Sequence, residues 1–177
     1  MPKQRSYGGL PVFTGEAGSD GLLITNIGHA ILRAGRSFRA CYNTPDATPI
    51  ADDASLDIWV SVPAGLTPHV VWRFWSQGLS QGYVYESPTV TDEGTIITPI
   101  NLNRSSAIDP TVVVKHTPTV TLVGTVLYGG DWYGGTFTQE ALQDVQGMQL
   151  AAGTTYLFRQ TARADNLAMG FNINWNE

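Results

Sequence analysis

Asn166-Leu-Ala-Met-Gly-Phe-Asn-Ile-Asn-Trp-Asn176 is the stretch that decides the fold. Leu167, Met169, Phe171, Ile173 and Trp175 share one side of an extended chain. Ala168, Gly170, Asn172, Asn174 and Asn176 share the other. A period of two with one apolar and one polar side marks a half-buried β-strand. Ser55–Val62 repeats the pattern, with Leu56, Ile58, Val60 and Val62 on one side and Ser55, Asp57 and Ser61 on the other. Weaker strands are expected over Ile31–Tyr42, Val70–Ser76, Tyr83–Ser87, Thr95–Ile100, Thr119–Tyr128 and Thr155–Thr161.

Turn signals separate these runs: Asn43-Thr-Pro-Asp46, Pro63-Ala-Gly65, Asp92-Glu-Gly94 and Ala151-Ala-Gly153. One short helix is expected over Thr138–Gly147, with Thr138 as its cap and Gly147 as its stop. About eight antiparallel strands with almost no helix predict an all-β fold, a jelly-roll-like sandwich. Residues 1–28 are rich in Gly, Ser and polar residues and read as an extended N-terminal arm, leaving 29–177 as the sandwich domain.

Charged residues make up only 14% of the 177-residue chain, against about a quarter in ordinary soluble domains. A charge deficit fits a surface that meets other subunits. The net charge of −5 is uneven. Residues 1–41 carry five basic and two acidic residues, or +3, and the remainder carries −8. The basic arm suits an acidic partner, or is a solvated surface. Too few basic residues exist for a phosphate-tracking groove, so nucleic acid is not an expected partner. Neither a secretory leader nor an 18-residue apolar span is visible, which predicts a soluble protein made in the cytoplasm.

Chemistry finds little local support. His29, His69 and His116 are scattered, without metal-ligand spacing. Cys41 reads as a small buried residue, with no base to activate it. The acidic group Asp46, Asp52, Asp53 and Asp57 lacks a calcium-loop pattern and reads as a solvated loop. No catalytic residue, cofactor or metal is therefore expected. Gly129–Gly135 reads as a mobile loop carrying Trp132 and Tyr133, whose rings either stack on a sugar or fold back on the sheet.

Val70–Trp75 is apolar on both sides: Val70, Trp72 and Phe74 face one way, Val71 and Trp75 the other, with Arg73 the only charge. Such a strand is covered by a loop or packs on another subunit.

Further motifs run from His69-Val-Val-Trp-Arg-Phe-Trp75 through Tyr83-Val-Tyr-Glu86 to Glu93-Gly-Thr-Ile-Ile-Thr-Pro-Ile-Asn-Leu-Asn-Arg-Ser-Ser106. Pro118-Thr-Val-Thr-Leu-Val-Gly124, Leu150-Ala-Ala-Gly-Thr-Thr-Tyr-Leu-Phe158 and Asn172-Ile-Asn-Trp-Asn-Glu177 follow. Over roughly residues 55–177 this order resembles small virion structural proteins of tailed bacteriophages, the head decoration or cement type. The resemblance implies a jelly-roll-like sandwich, commonly a homotrimer, bound to the major capsid protein on the outer capsid surface. It implies no catalytic residues. On that reading Lys3, Arg5, Leu10, Val12 and Phe13 of the arm are candidates for contact with the shell. Val71, Arg73, Trp75 and Arg104 are candidates for contact between subunits. A glycan- or receptor-binding module of a phage head or fibre, using Trp132 and Tyr133, is the alternative. Apart from any family, Asn101-Leu-Asn-Arg104 suits a turn in which Asn side chains bond local backbone while Arg104 ties a loop or a neighbour.

Overall fold

The computed structural model describes residues 4–7, 10–13, 31–32, 34–45, 47–133 and 146–177, with backbone alone at 4–7, 10–13, 131–133 and 146. The chain divides into two compact units, 1–30 and 31–177. In the first, β1 (Gln4–Tyr7) pairs antiparallel with β2 (Leu10–Phe13), Gln4 opposite Phe13 and Arg5 opposite Val12.

The second unit is a two-sheet sandwich. Its strands are β3 (Ser37–Asn43), β4 (Ser55–Ser61), β5 (His69–Ser76), β6 (Ser80–Glu86), β7 (Thr89–Asp92), β8 (Thr95–Ile96) and β9 (Ile100–Asn101). They continue as β10 (Val113–His116), β11 (Thr119–Leu122), β12 (Thr125–Tyr133), β13 (Gln146–Gln149), β14 (Thr155–Ala162) and β15 (Met169–Asn176). One sheet has the order β12-β6-β14-β4-β10-β8 and the other β13-β5-β15-β3-β9. The pair β11-β7 forms a separate ribbon.

Eight of these strands make the jelly roll. Along the chain, β3, β5, β13 and β15 fall in the five-stranded sheet, and β4, β6, β12 and β14 in the six-stranded one. The crossings follow β3, β4, β5, β6, then β12, β13, β14, β15, with only the β6-to-β12 step staying in one sheet. That is the double Greek key of a jelly roll. The alternation of β15 holds: Met169, Phe171, Ile173 and Trp175 are buried. Inward rings lock the two sheets together. Phe158 lies 5.5 Å from Trp72 and 5.2 Å from Phe171, in tilted and edge-on contacts that aromatic pairs prefer.

Residues 87–124 form an excursion between β6 and β12. Strands β7 and β11, then β8 and β10, extend the β6–β12 hairpin. The extension bends twice, each time with a positive φ on both strands. The first bend is Ser87 (φ 55°) with Gly124 (φ 91°), the second Gly94 (φ 87°) with Thr117 (φ 57°). At Gly124 a β-carbon would stand 2.1 Å from the Glu86 carbonyl oxygen, so only glycine fits. The hairpin leaves the six-stranded sheet beside one edge and rejoins it at the other, with β14 and β4 between. Its tip strand β9 then joins β3 of the opposite sheet.

The tip is held by hydrogen bonds. The Asn101 amide donates to the carbonyls of Gly35 (2.8 Å) and Ile108 (2.9 Å), and its Oδ1 accepts from the Asn103 N–H. Asn103 Oδ1 accepts from Ser105 N–H. The Asn motif therefore does bond local backbone. Glu177 anchors the same loop: its carboxylate accepts from Thr111 N–H and hydroxyl, Val112 N–H and Trp175 Nε1, at 2.9–3.1 Å.

Several sequence expectations change. Thr119–Tyr128 is two strands, because Gly124 breaks the chain. Thr95–Ile100 is divided between β8 and β9, which serve different sheets. Ile31–Tyr42 contributes strand only from Ser37. The expected helix falls mostly outside the described residues, while its last two positions, Gln146 and Gly147, are in β13. Gly129–Tyr133, expected in a loop, is strand, paired to β6 through Trp132 opposite Gln81 and Tyr133 opposite Ser80.

Candidate binding surfaces

The outward side of the five-stranded sheet carries the residues that alternation leaves out of the core. These are Arg39, Cys41 and Asn43 of β3, Asn172 and Asn174 of β15, and Val71, Arg73 and Trp75 of β5. Its five strands contain no Asp or Glu. Arg39 Nε donates to Asn174 Oδ1 at 2.7 Å, and Arg73 is exposed. Trp75 is 36% exposed. Its indole lies on Gly170, where a β-carbon would stand 2.1 Å from Nε1, and Nε1 donates to Asn43 Oδ1 at 3.1 Å. The second apolar side of β5 thus rests partly on its own sheet. Cys41, expected to be buried, is exposed here, because Phe38 and Ala40 set the inward register of β3.

On the outward side of the six-stranded sheet two cross-strand rows stand out. Tyr85, Leu157, Trp59 and Lys115 are neighbours in register, and so are Tyr83, Arg159 and Asp57. Leu157 (0% exposed) and Trp59 (5% exposed) are buried although they face away from the main core. Lys115 Nζ sits 5.5 Å from the Trp59 ring centre and 2.6 Å from Glu93 of the excursion. Arg159 grips Asp57 with two parallel bonds of 2.7 and 2.6 Å. Those bonds hold the guanidinium above its ordinary basicity. Burial pushes the neighbouring Tyr85 phenol up, against the opposing pull of Arg159.

Asp57 also lines a cleft of about 300 Å³ at this end of the sandwich. Tyr42, Thr44, Thr48, Ile50 and Pro118 are among its other walls. The Tyr42 and His116 rings stack 4.0 Å apart and 18° from parallel. Burial lowers the His116 pKa, which favours the neutral ring. His116 Nδ1 lies 2.9 Å from Thr117 Oγ1.

Val71, Arg73 and Trp75 share one face. Arg104 does not join them: it is exposed on the excursion tip, beyond β9, with β3 and β15 between. Ile100, Leu102 and Ile108, close to it in the chain, are exposed apolar residues, as is Ile96 of β8. Lys3 lies outside the described residues, as do the side chains of Arg5, Leu10, Val12, Phe13, Trp132 and Tyr133. Of the acidic group, Asp52 and Asp53 are exposed in a turn, with Arg163 paired to Asp53, and Asp57 belongs to the Arg159 pair. Sequence reasoning missed the Asp57–Arg159 pair and the Tyr42–His116 stack. Lone charges at outward positions of otherwise apolar strands were the available signal for the first.

No protein-family model, curated protein or solved structure matches the chain.

Proposed function

We propose that this chain is a non-enzymatic structural protein of a virion. It decorates the head of a tailed bacteriophage, binds the major capsid protein on the outer surface and stabilises the shell. The observation that carries the proposal is the face with exposed Trp75, Arg39 and Arg73 on a sheet without a carboxylate. Aromatic and arginine side chains are the enriched anchors of protein interfaces, and unopposed positive charge favours an acidic protein surface. The chain outside residues 1–41 carries −8, so a sister subunit offers such a surface as well as the shell does.

In this assembly Val71, Arg73 and Trp75 of one subunit meet another copy head to tail, and Arg104 contributes from the exposed apolar tip. Head-to-tail contacts close into rings, a homotrimer among them. Lys3, Arg5, Leu10, Val12 and Phe13 meet the shell. Jelly rolls occur in capsid and lectin domains alike, so the proposal rests on this surface and on the resemblance, not on the fold.

The test is co-sedimentation with purified heads that lack the protein, paired with light scattering of the free protein. Wild type is expected to sediment with heads, raise their thermal stability and scatter as a trimer. Arg73→Glu and Trp75→Ala should reduce association between subunits, and deletion of residues 1–28 should reduce head binding. A wild-type protein that stays in the supernatant would refute the proposal.

A further inference from the structure

We propose that the cleft at the Tyr42–Asp57 end of the sandwich binds one uncharged sugar ring. The Asp57 carboxylate and the Tyr42 and Thr48 hydroxyls take its hydroxyl groups, and Ile50 and Pro118 meet its C–H face. This site is independent of the capsid reading and uses none of the residues assigned to it.

Size is the first support. About 300 Å³ lies at the bottom of the usual range for small-molecule sites, which suits a single ring better than a buried chain. The free valences are the second. Thr44 Oγ1 is occupied by Met169 N–H and carbonyl, Ser55 Oγ by Thr161, and Thr117 Oγ1 by His116. Among the described residues, the Tyr42 and Thr48 hydroxyls have no such partner, so both remain open to a ligand.

Asp57 is the third. An ionised carboxylate offers about four acceptor positions, and the two Arg159 bonds use two of them. The others can accept from adjacent hydroxyls of a sugar. Arg159 fixes the carboxylate's orientation and cancels its charge, and among the described lining residues Asp57 is the only charged one, so they offer no net attraction for ions. The neutral His116 ring adds no charge and, stacked on Tyr42, holds the phenol in place. The walls are the fourth support: Ile50, Leu56, Pro45 and Pro118 give the apolar surface that a sugar's C–H face needs.

The experiment is saturation-transfer NMR on the full chain with the methyl glycosides of glucose, galactose and N-acetylglucosamine, and with glucuronic acid as the charged control. At least one neutral glycoside should receive saturation, strongest at its ring C–H protons. Tyr42→Phe, which keeps the ring stack, and Thr48→Val should each weaken binding about tenfold. Asp57→Asn should weaken it at least as much, with urea unfolding confirming that each variant is folded. No transfer from any neutral glycoside to the folded wild type would overturn the proposal. Equal binding of glucuronic acid would overturn the charge argument. Transfer that survives all three substitutions but is lost in Trp132→Ala would place the sugar on β12 and overturn it too.

Discussion

Glu177 offers a direct measurement of what fastens the excursion to the sandwich. Its carboxylate takes three N–H groups and one hydroxyl from three residues. In Glu177→Ala these donors lose their acceptor together. Thr111 is exposed, so water replaces its bonds and the loss there is about 0.5–1 kcal/mol. Val112 is buried and Trp175 is 1% exposed, so each donor left unsatisfied costs about 1 kcal/mol or more. The expected total is about 2–4 kcal/mol. Glu177→Gln keeps one oxygen and loses charge assistance, and should cost about 1 kcal/mol. Urea denaturation with constant m reads the total. Amide exchange at Val112 and Val114 reads where the loss occurs, and should accelerate before residues of β15 do. A Glu177→Ala change below about 0.5 kcal/mol, with exchange at Val112 unaltered, would refute the anchoring role.

Further outcomes follow from the same geometry. Gly124→Ala forces a β-carbon toward the Glu86 carbonyl at a left-handed φ, and should cost about 2 kcal/mol or more in the urea midpoint. Phe158→Ala empties the contact between the sheets and should cost about 3–5 kcal/mol, seen as a large fall in melting temperature. His116 has a folded pKa below its ordinary 6.5, so the unfolded chain binds its proton more readily. Its contribution is neutral above that value, and stability should fall as pH drops below it. His116→Gln should flatten the urea midpoint against pH in that window; an unchanged slope would remove the assignment.

The readable parts of the fold are those where residue type alternates, apolar on the inward face and mostly polar on the outward one. Strands β4 and β15 meet that condition, and their alternation appears directly in the sequence. Strand β13, Gln-Gly-Met-Gln, pairs along the edge of β5 through backbone that any residue supplies, so its side chains carry no signal. The Gly124 break is hidden because a glycine inside a threonine-rich run fits a strand equally well until the Glu86 carbonyl is known to sit against it. The candidate surfaces divide the same way. Val71, Arg73 and Trp75 share a strand, so alternation alone places them together. Asp57 and Arg159 are 102 positions apart and meet only through the register of β14 on β4, which no local pattern encodes.

The order of synthesis gives the sheet arrangement one more meaning. Strand β15 stands between β3 and β5, and β14 between β4 and β6, yet these two are the last strands in chain order. Each is the keystone of its sheet. A ribosome-bound chain that stops short of residue 155 has β3 and β5, or β4 and β6, with no strand to join them. Neither sheet can close before residues 155–176 are available, and its closure is dominated by long-range pairing. Such pairing is slow, so the strands made earlier keep open edges until β14 and β15 are available to them.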